Sequence, residues 1–320
     1  MPHRRLRSLM PAVIVACGAL CLSGGPVLAA EPTSSATAQS WYESVESDLS
    51  PLQSTLVSGL QVASSWQAGH VSAAKVRRKI TLDLPSIETA LATVSGLAPL
   101  PGYTEAKQNI VDGLTLYVQS FSVIRAATLV RSAALVTQLQ RASARIRELG
   151  DVSFDEGTAE IAPLLGPALV GDDVHAAMQI PNWSAQRLAP GEPLIGHWTG
   201  TSAQPAMTQS AATWSTAIAR SGAPRQTSVR GAVLGATRGR TAHLAELAAA
   251  VDRAEVALSG VPGLDGYPQA SALLRLALLV DAEALLVKEA SVLSHATPAA
   301  ELSKISGALV SVGGSLRSEQ

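Results

Sequence analysis

Between Thr104 and Leu149 the chain contains no proline, and Ala106, Ile110, Leu114, Val118, Phe121 and Ile124 recur at steps of three and four. Residues so spaced share one face of an α-helix, so this stretch can hardly fold as anything else. A continuous helix here would be about 70 Å long at 1.5 Å per residue, and a break between Ala127 and Ser132 is equally consistent. The rest of the chain follows the same habit. Ser50-Pro51 predicts a helix start running to Gly69, with serine as cap and proline at the first helical position. A second helix is predicted from Val71, broken or restarted at Pro85 and closed at Ser95-Gly96 by a left-handed glycine.

Further helices are predicted over Ala206–Arg220, Thr227–Ser259, the segment SALLRLALLVDAEALLVKEASVL, and Ala299–Leu316. LLRLALLV is apolar on nearly every side apart from Arg275, which marks it as the most buried helix. Asp281, Glu283, Lys288 and Glu289 follow too closely for a membrane span. Hydrophobic residues make up 47% of the chain but aromatics only 3%, so the core must be built from Ala, Leu, Val and Ile. Small aliphatics suit closely packed helices better than a sheet.

The loop VSGLAPLPGYTEA (Val94–Ala106) returns as LSGVPGLDGYPQA (Leu258–Ala270), at an offset of 164, with Tyr103 and Tyr267 in the same slot. Both copies end one helix and begin another. The pattern reads as a helix–loop–helix corner in which glycines close and turn the chain, Thr104 caps the next helix, and tyrosine packs ahead of it. Tyrosines lining a shared pocket are the functional alternative. The expected fold is therefore all-α: a large helical bundle of two related halves, residues 31–150 and 205–320, joined by an irregular connector at 151–204. That connector is crowded with Gly and Pro (LLGPALVG, LAPGEPLIGHWTG). Trp183, His197 and Trp198 lie in it, either as ligand contacts or folded back over the core.

Residues 1–30 read as an export leader. Arg4, Arg5 and Arg7 precede the apolar run LMPAVIVACGALCL, and VLAA (Val27–Ala30) offers a small-residue cleavage site. The alternative is a lipoprotein acylated at Cys17, since IVAC resembles a lipobox. Both cysteines, Cys17 and Cys21, fall in the leader, so a mature chain beginning near Glu31 has no disulfide, thiol nucleophile or thiolate metal site. Such a chain keeps 21 of the 24 basic side chains against 25 acidic ones, a net charge of −4 that gives no support to nucleic-acid binding.

Motifs for chemistry are sparse. Ser72-Ala-Ala-Lys75 fits S-x-x-K, in which lysine assists a serine nucleophile, without its usual partner motifs. Asp151, Ser153, Asp155 and Glu156 begin like a calcium loop, but Gly157 comes one place late and Ala162 stands where the closing carboxylate belongs. The plainer reading is an exposed acidic connector after a helix end at Gly150. His70, His175, His197, His243 and His295 are scattered, with no metal-binding spacing, and nothing calls for a cofactor. The clusters Lys75, Arg77, Arg78, Lys79 and Arg141, Arg145, Arg147 are either solvated faces or contacts for anionic lipid or cell-wall polymer. The expectation is a secreted bacterial envelope or extracellular protein, non-enzymatic, with a binding or structural role toward an envelope protein, glycan or lipid. A secreted hydrolase with its site between the halves is the alternative.

Overall fold

The computed structural model describes residues 35–161, 164, 208–237, 241–264 and 270–318. The leader, most of the connector with Trp183, His197 and Trp198, and Tyr267 lie outside the described residues. Among the described residues there are nine helices, all within one compact unit, Thr33–Gln320. They are α1 (Ser35–Gln67), α2 (Ala73–Gly96), α3 (Thr104–Ala127), α4 (Ala133–Ile161), α5 (Ala211–Ser221), α6 (Gln226–Gly235), α7 (Thr241–Leu258), α8 (Ala270–Leu293) and α9 (Ala296–Ser318). The only sheet among these residues is a two-residue parallel pairing of β1 (Thr208–Gln209) with β2 (Gly263–Leu264). The all-α bundle is thus the fold.

Several helix ends differ from expectation, each for a physical reason. Pro51 and Pro85 sit inside α1 and α2 rather than starting or breaking them. Both are exposed, so the carbonyl one turn earlier, which loses its N–H partner, faces water that can satisfy it. Burial of Leu52, Leu56 and Leu60 in α1, and of Leu84 and Ile87 in α2, holds each helix together across its proline. Gly96 is not left-handed. The Leu97 N–H closes α2 on Thr93 O and Val94 O, both at 3.2 Å, and Lys107 Nζ covers Ser95 O at 2.7 Å and also Leu97 O. A lysine from the next helix thus replaces the glycine cap. Gly102, at φ +82°, makes the left-handed turn of this corner. Thr104 is the first helical residue rather than the cap, which is Tyr103, half-buried against the apolar cluster of the first four helices.

The proline-free stretch divides between Ala127 and Ala133, and α4 then continues through Gly150 to Ile161. Neither the expected helix end at Gly150 nor irregular chain occurs over 151–161. Gly150 is helical because it packs. On α3, Ala106, Gly113 and Ser120 lie seven residues apart, and they face Gly157, Gly150 and Ser143 of α4, also at seven-residue steps. The Ser120 and Ser143 hydroxyls bond each other at 3.0 Å. A Cβ on Gly113 would lie 2.9 Å from Gly150 O, and one on Gly157 2.5 Å from Ala106 O. Small residues let the two backbones touch, which is why a glycine-bearing helix is stable here despite glycine's low propensity.

A second hairpin repeats this device. On α8, Ala277, Ala284 and Ser291 face Gly313, Ser306 and Ala299 of α9; a Cβ on Gly313 would lie 3.3 Å from Ala277 O, and the Ser291 hydroxyl donates to Ala299 O at 2.8 Å. The hairpins α3–α4 and α8–α9 pack together, α3 on α9 and α4 on α8. Helix α2 packs on α3 of the first hairpin and carries α1, while α6 and α7 lie against the second hairpin and α5 lies on α7 and β2. As expected, α8 is the most buried helix, with Leu273, Leu276, Leu278 and Val280 at the centre of one apolar cluster. None of the described helices is long and apolar enough to cross a membrane.

Candidate functional site: a groove between α4 and α8

The interior of the bundle holds more charge than its aliphatic composition suggests. Helix α8 carries Asp281, Glu283 and Lys288 into burial. Asp281, fully buried, accepts from Arg317 of α9, whose guanidinium also reaches Gln226 of α6. Lys288 donates to the Ser303 hydroxyl at 2.9 Å. On the first hairpin the Tyr117 hydroxyl donates to Asp151. Burial pushes both the Tyr117 hydroxyl and the Asp151 carboxyl up, which keeps the phenol protonated and favours the acid form of the aspartate. Helix α7 is tied to α8 by Glu255 and Arg275, 2.6 Å apart. These pairs hold neighbouring helices together.

One polar group does reach an opening. Along the line where α4 crosses α8 runs a groove of about 430 Å³, lined by Thr137, Gln138, Arg141, Arg145, Glu283 and Leu286, with Ala134 and Ala142 in its wall. Helical spacing explains the lining, because 134, 137, 138, 141, 142 and 145 share one face of α4, and 283 and 286 one face of α8. Arg145 Nη1 approaches Glu283 Oε1 at 3.4 Å, while the buried Oε2 has no hydrogen-bond partner. Arg141, one turn earlier, is exposed. Burial pushes the Glu283 carboxyl up to about 8, against the opposing pull of Arg145 and with help from Asp252 on α7 and Glu148 on α4. At neutral pH it is mostly the neutral acid, so the groove carries a net positive edge over an aliphatic floor.

A carboxyl whose folded pKa lies above its unfolded value contributes stability at low pH that is lost as pH rises, here from 4.5 through about 8. Glu283→Gln is therefore expected to match the wild type near pH 5 and to exceed it at pH 9, by on the order of 2 kcal/mol. Urea denaturation at the two pH values measures this, and an equal offset at both would refute it.

The motifs singled out in the sequence fare differently. Ser72 and Lys75 are exposed, and the serine oxygen caps α2 by accepting from the Lys75 backbone N–H at 3.3 Å. Its neighbours Arg77 and Arg78 are exposed, while Lys79 pairs with Asp83 at 2.6 Å. The acidic stretch from Asp151 is neither a calcium loop nor an exposed connector, since it is helical and buries Ser153 and Glu156. His70, His243 and His295 are exposed on separate elements; His175 and His197 lie outside the described residues. Among the described residues no group of three His, Cys, Asp or Glu could hold a metal ion. The second basic cluster is split by the helix period: Arg141 is exposed, Arg145 lies at the groove, and Arg147 is buried. Sequence reasoning missed Glu283, Asp281 and Lys107. The signal for the first two was available: Asp281 and Glu283 continue the helix whose apolar run faces every way. The chain matches no protein-family model, no curated protein and no solved structure.

Proposed function

We propose that this is an exported bacterial envelope or extracellular protein that binds a ligand in the α4–α8 groove rather than turning over a substrate, and that its bundle is built of two related halves. The observation that carries the binding reading is the groove itself. It joins Arg141, Arg145, Gln138, Thr137 and the Glu283 side chain to Ala134, Ala142 and Leu286, the mixture of apolar wall and few polar groups that ligand sites use. Export rests on the leader pattern of residues 1–30.

The two-halves reading is supported by equivalent detail at the offset of the repeated loop. Ala106, Gly113 and Ser120 correspond to Ala270, Ala277 and Ala284, and one residue short of that offset Ser143 and Gly150 correspond to Ser306 and Gly313. The Trp41 indole donates to Ala98 O at 2.8 Å. Trp214, 173 rather than 164 residues on from Trp41, donates to the Ser271 hydroxyl at 3.1 Å, which passes the bond to Pro262 O, the residue at the loop's offset from Ala98.

The test uses the full chain expressed in a bacterium. Intact mass is expected to place the mature N-terminus near Ala30 or Glu31; acylation at Cys17 would replace soluble export by lipid anchoring. Native mass spectrometry after exposure to envelope extract should show a retained small molecule, lost in Leu286→Trp, which fills the groove. Equal retention by that variant would sink the binding reading.

A further inference from the structure

The donors and acceptors around the groove specify the kind of ligand it takes. We infer that the groove binds an aliphatic chain ending in an anionic head, a carboxylate or phosphate, with the head at Arg141 and Arg145 and the chain running along α4 toward Ala134. This rests on the binding reading above and names its ligand class.

The head is fixed by counting hydrogen-bonding capacity. Arginine carries five N–H donors and no acceptor. Arg145 makes one long bond to Glu283, and Arg141 makes no ion pair among the described residues, so several N–H groups remain for a ligand. Thr137 spends its proton on Ala133 O at 3.1 Å. Glu283 Oε2 is buried away from solvent, so the free donors at the groove are those of the two arginines. A site so rich in donors calls for an acceptor, and planar guanidinium groups one turn apart suit a two-oxygen anion. A cationic head would meet two like charges there.

The tail is fixed by shape. Ala142 and Leu286 give the wall apolar surface beside the arginines, and past Gln138 and Thr137 it ends at Ala134, about 10 Å along the helix from Arg141 at 1.5 Å per residue. Where α3 crosses α9, the other contact between the hairpins, Arg125 and Glu301 bridge the helices at 2.7 Å and Ile305 is buried.

The experiment titrates the full chain with octanoate, octyl phosphate, octanol and octylamine, read by calorimetry. One equivalent of octanoate or octyl phosphate is expected to bind, at least tenfold more tightly than octanol or octylamine; which anion wins separates the two sources of the head. Arg141→Ala removes an exposed side chain without disturbing the core and should weaken the anion on the order of tenfold. Leu286→Trp should abolish binding. Equal affinity for octanol or octylamine, or full affinity in Arg141→Ala, would overturn the inference. If neither anion binds while Leu286→Trp still releases the extract-derived molecule, the ligand class is wrong and the binding reading stands. If Leu286→Trp releases nothing, the binding reading fails as well.

Discussion

Gly157→Ala is expected to lower the melting temperature by about 2–5 °C, although alanine is the better helix former. The added methyl would lie 2.5 Å from Ala106 O and 2.9 Å from Ile110 N, both backbone atoms that cannot swing aside. Relieving that overlap means prising α3 from α4 along the seam that Gly113, Gly150, Ser120 and Ser143 also keep closed. Overpacking of this kind costs about 1–3 kcal/mol, and more where the obstacle is backbone, against roughly 1 kcal/mol gained in helix propensity. For a unit of this size each kcal/mol moves the midpoint by about 2 °C. The control is Gly231→Ala in α6, where a Cβ meets nothing within 4 Å. Its expected effect has the opposite sign, a gain of up to about 1 kcal/mol. Thermal unfolding followed by circular dichroism compares the two. Equal shifts would mean that the helices are not in backbone contact at Gly157.

The second large effect falls on the buried pair of α8 and α9. Asp281→Leu removes the anion from beside Arg317 and leaves a mostly buried guanidinium uncompensated, which is expected to cost about 3–5 kcal/mol. Arg317→Met should behave differently because aspartate can escape by taking a proton. Burial already pushes the Asp281 carboxyl up while Arg317 pulls it down, so removing the arginine raises it further. Below that value the acid is neutral and the lesion is mild. Above it the folded state must hold an unpaired carboxylate, so the cost of Arg317→Met grows as pH rises. Urea midpoints at pH 6 and pH 9 test the asymmetry. A pH-independent cost for Arg317→Met, matching that of Asp281→Leu, would show that Asp281 stays ionised without its partner. The double change Asp281→Leu with Arg317→Met should recover much of the loss, since neither charge is then stranded.

How far the sequence could be read depended on whether a feature was local. The buried face of α3, from Ala106 to Ile124, was legible because a period of three to four residues is a one-dimensional property. The position of α8 at the centre was legible from LLRLALLV for the same reason. Pro51, Pro85 and Gly150 misled because each is a helix breaker only when its neighbours allow it. The two prolines are tolerated on exposed turns, and Gly150 is required where backbones meet. The charges of the candidate site were misjudged by proximity in sequence: Arg141, Arg145 and Arg147 read as one cluster, but the helix turns them to three different environments.

By itself, the amino-acid order determined the all-helical class, the aliphatic character of the core and the leader-like start, because these follow from local periodicity and composition. Only the tertiary structure decided that small residues seven apart would bring α3 onto α4 and α8 onto α9. It also decided that Asp281 and Glu283 would point inward and that Arg145 would meet Glu283 across a groove. Those outcomes depend on which faces meet in space. Residues 145 and 283 stand far apart along the chain, and no spacing rule links them until two helices cross.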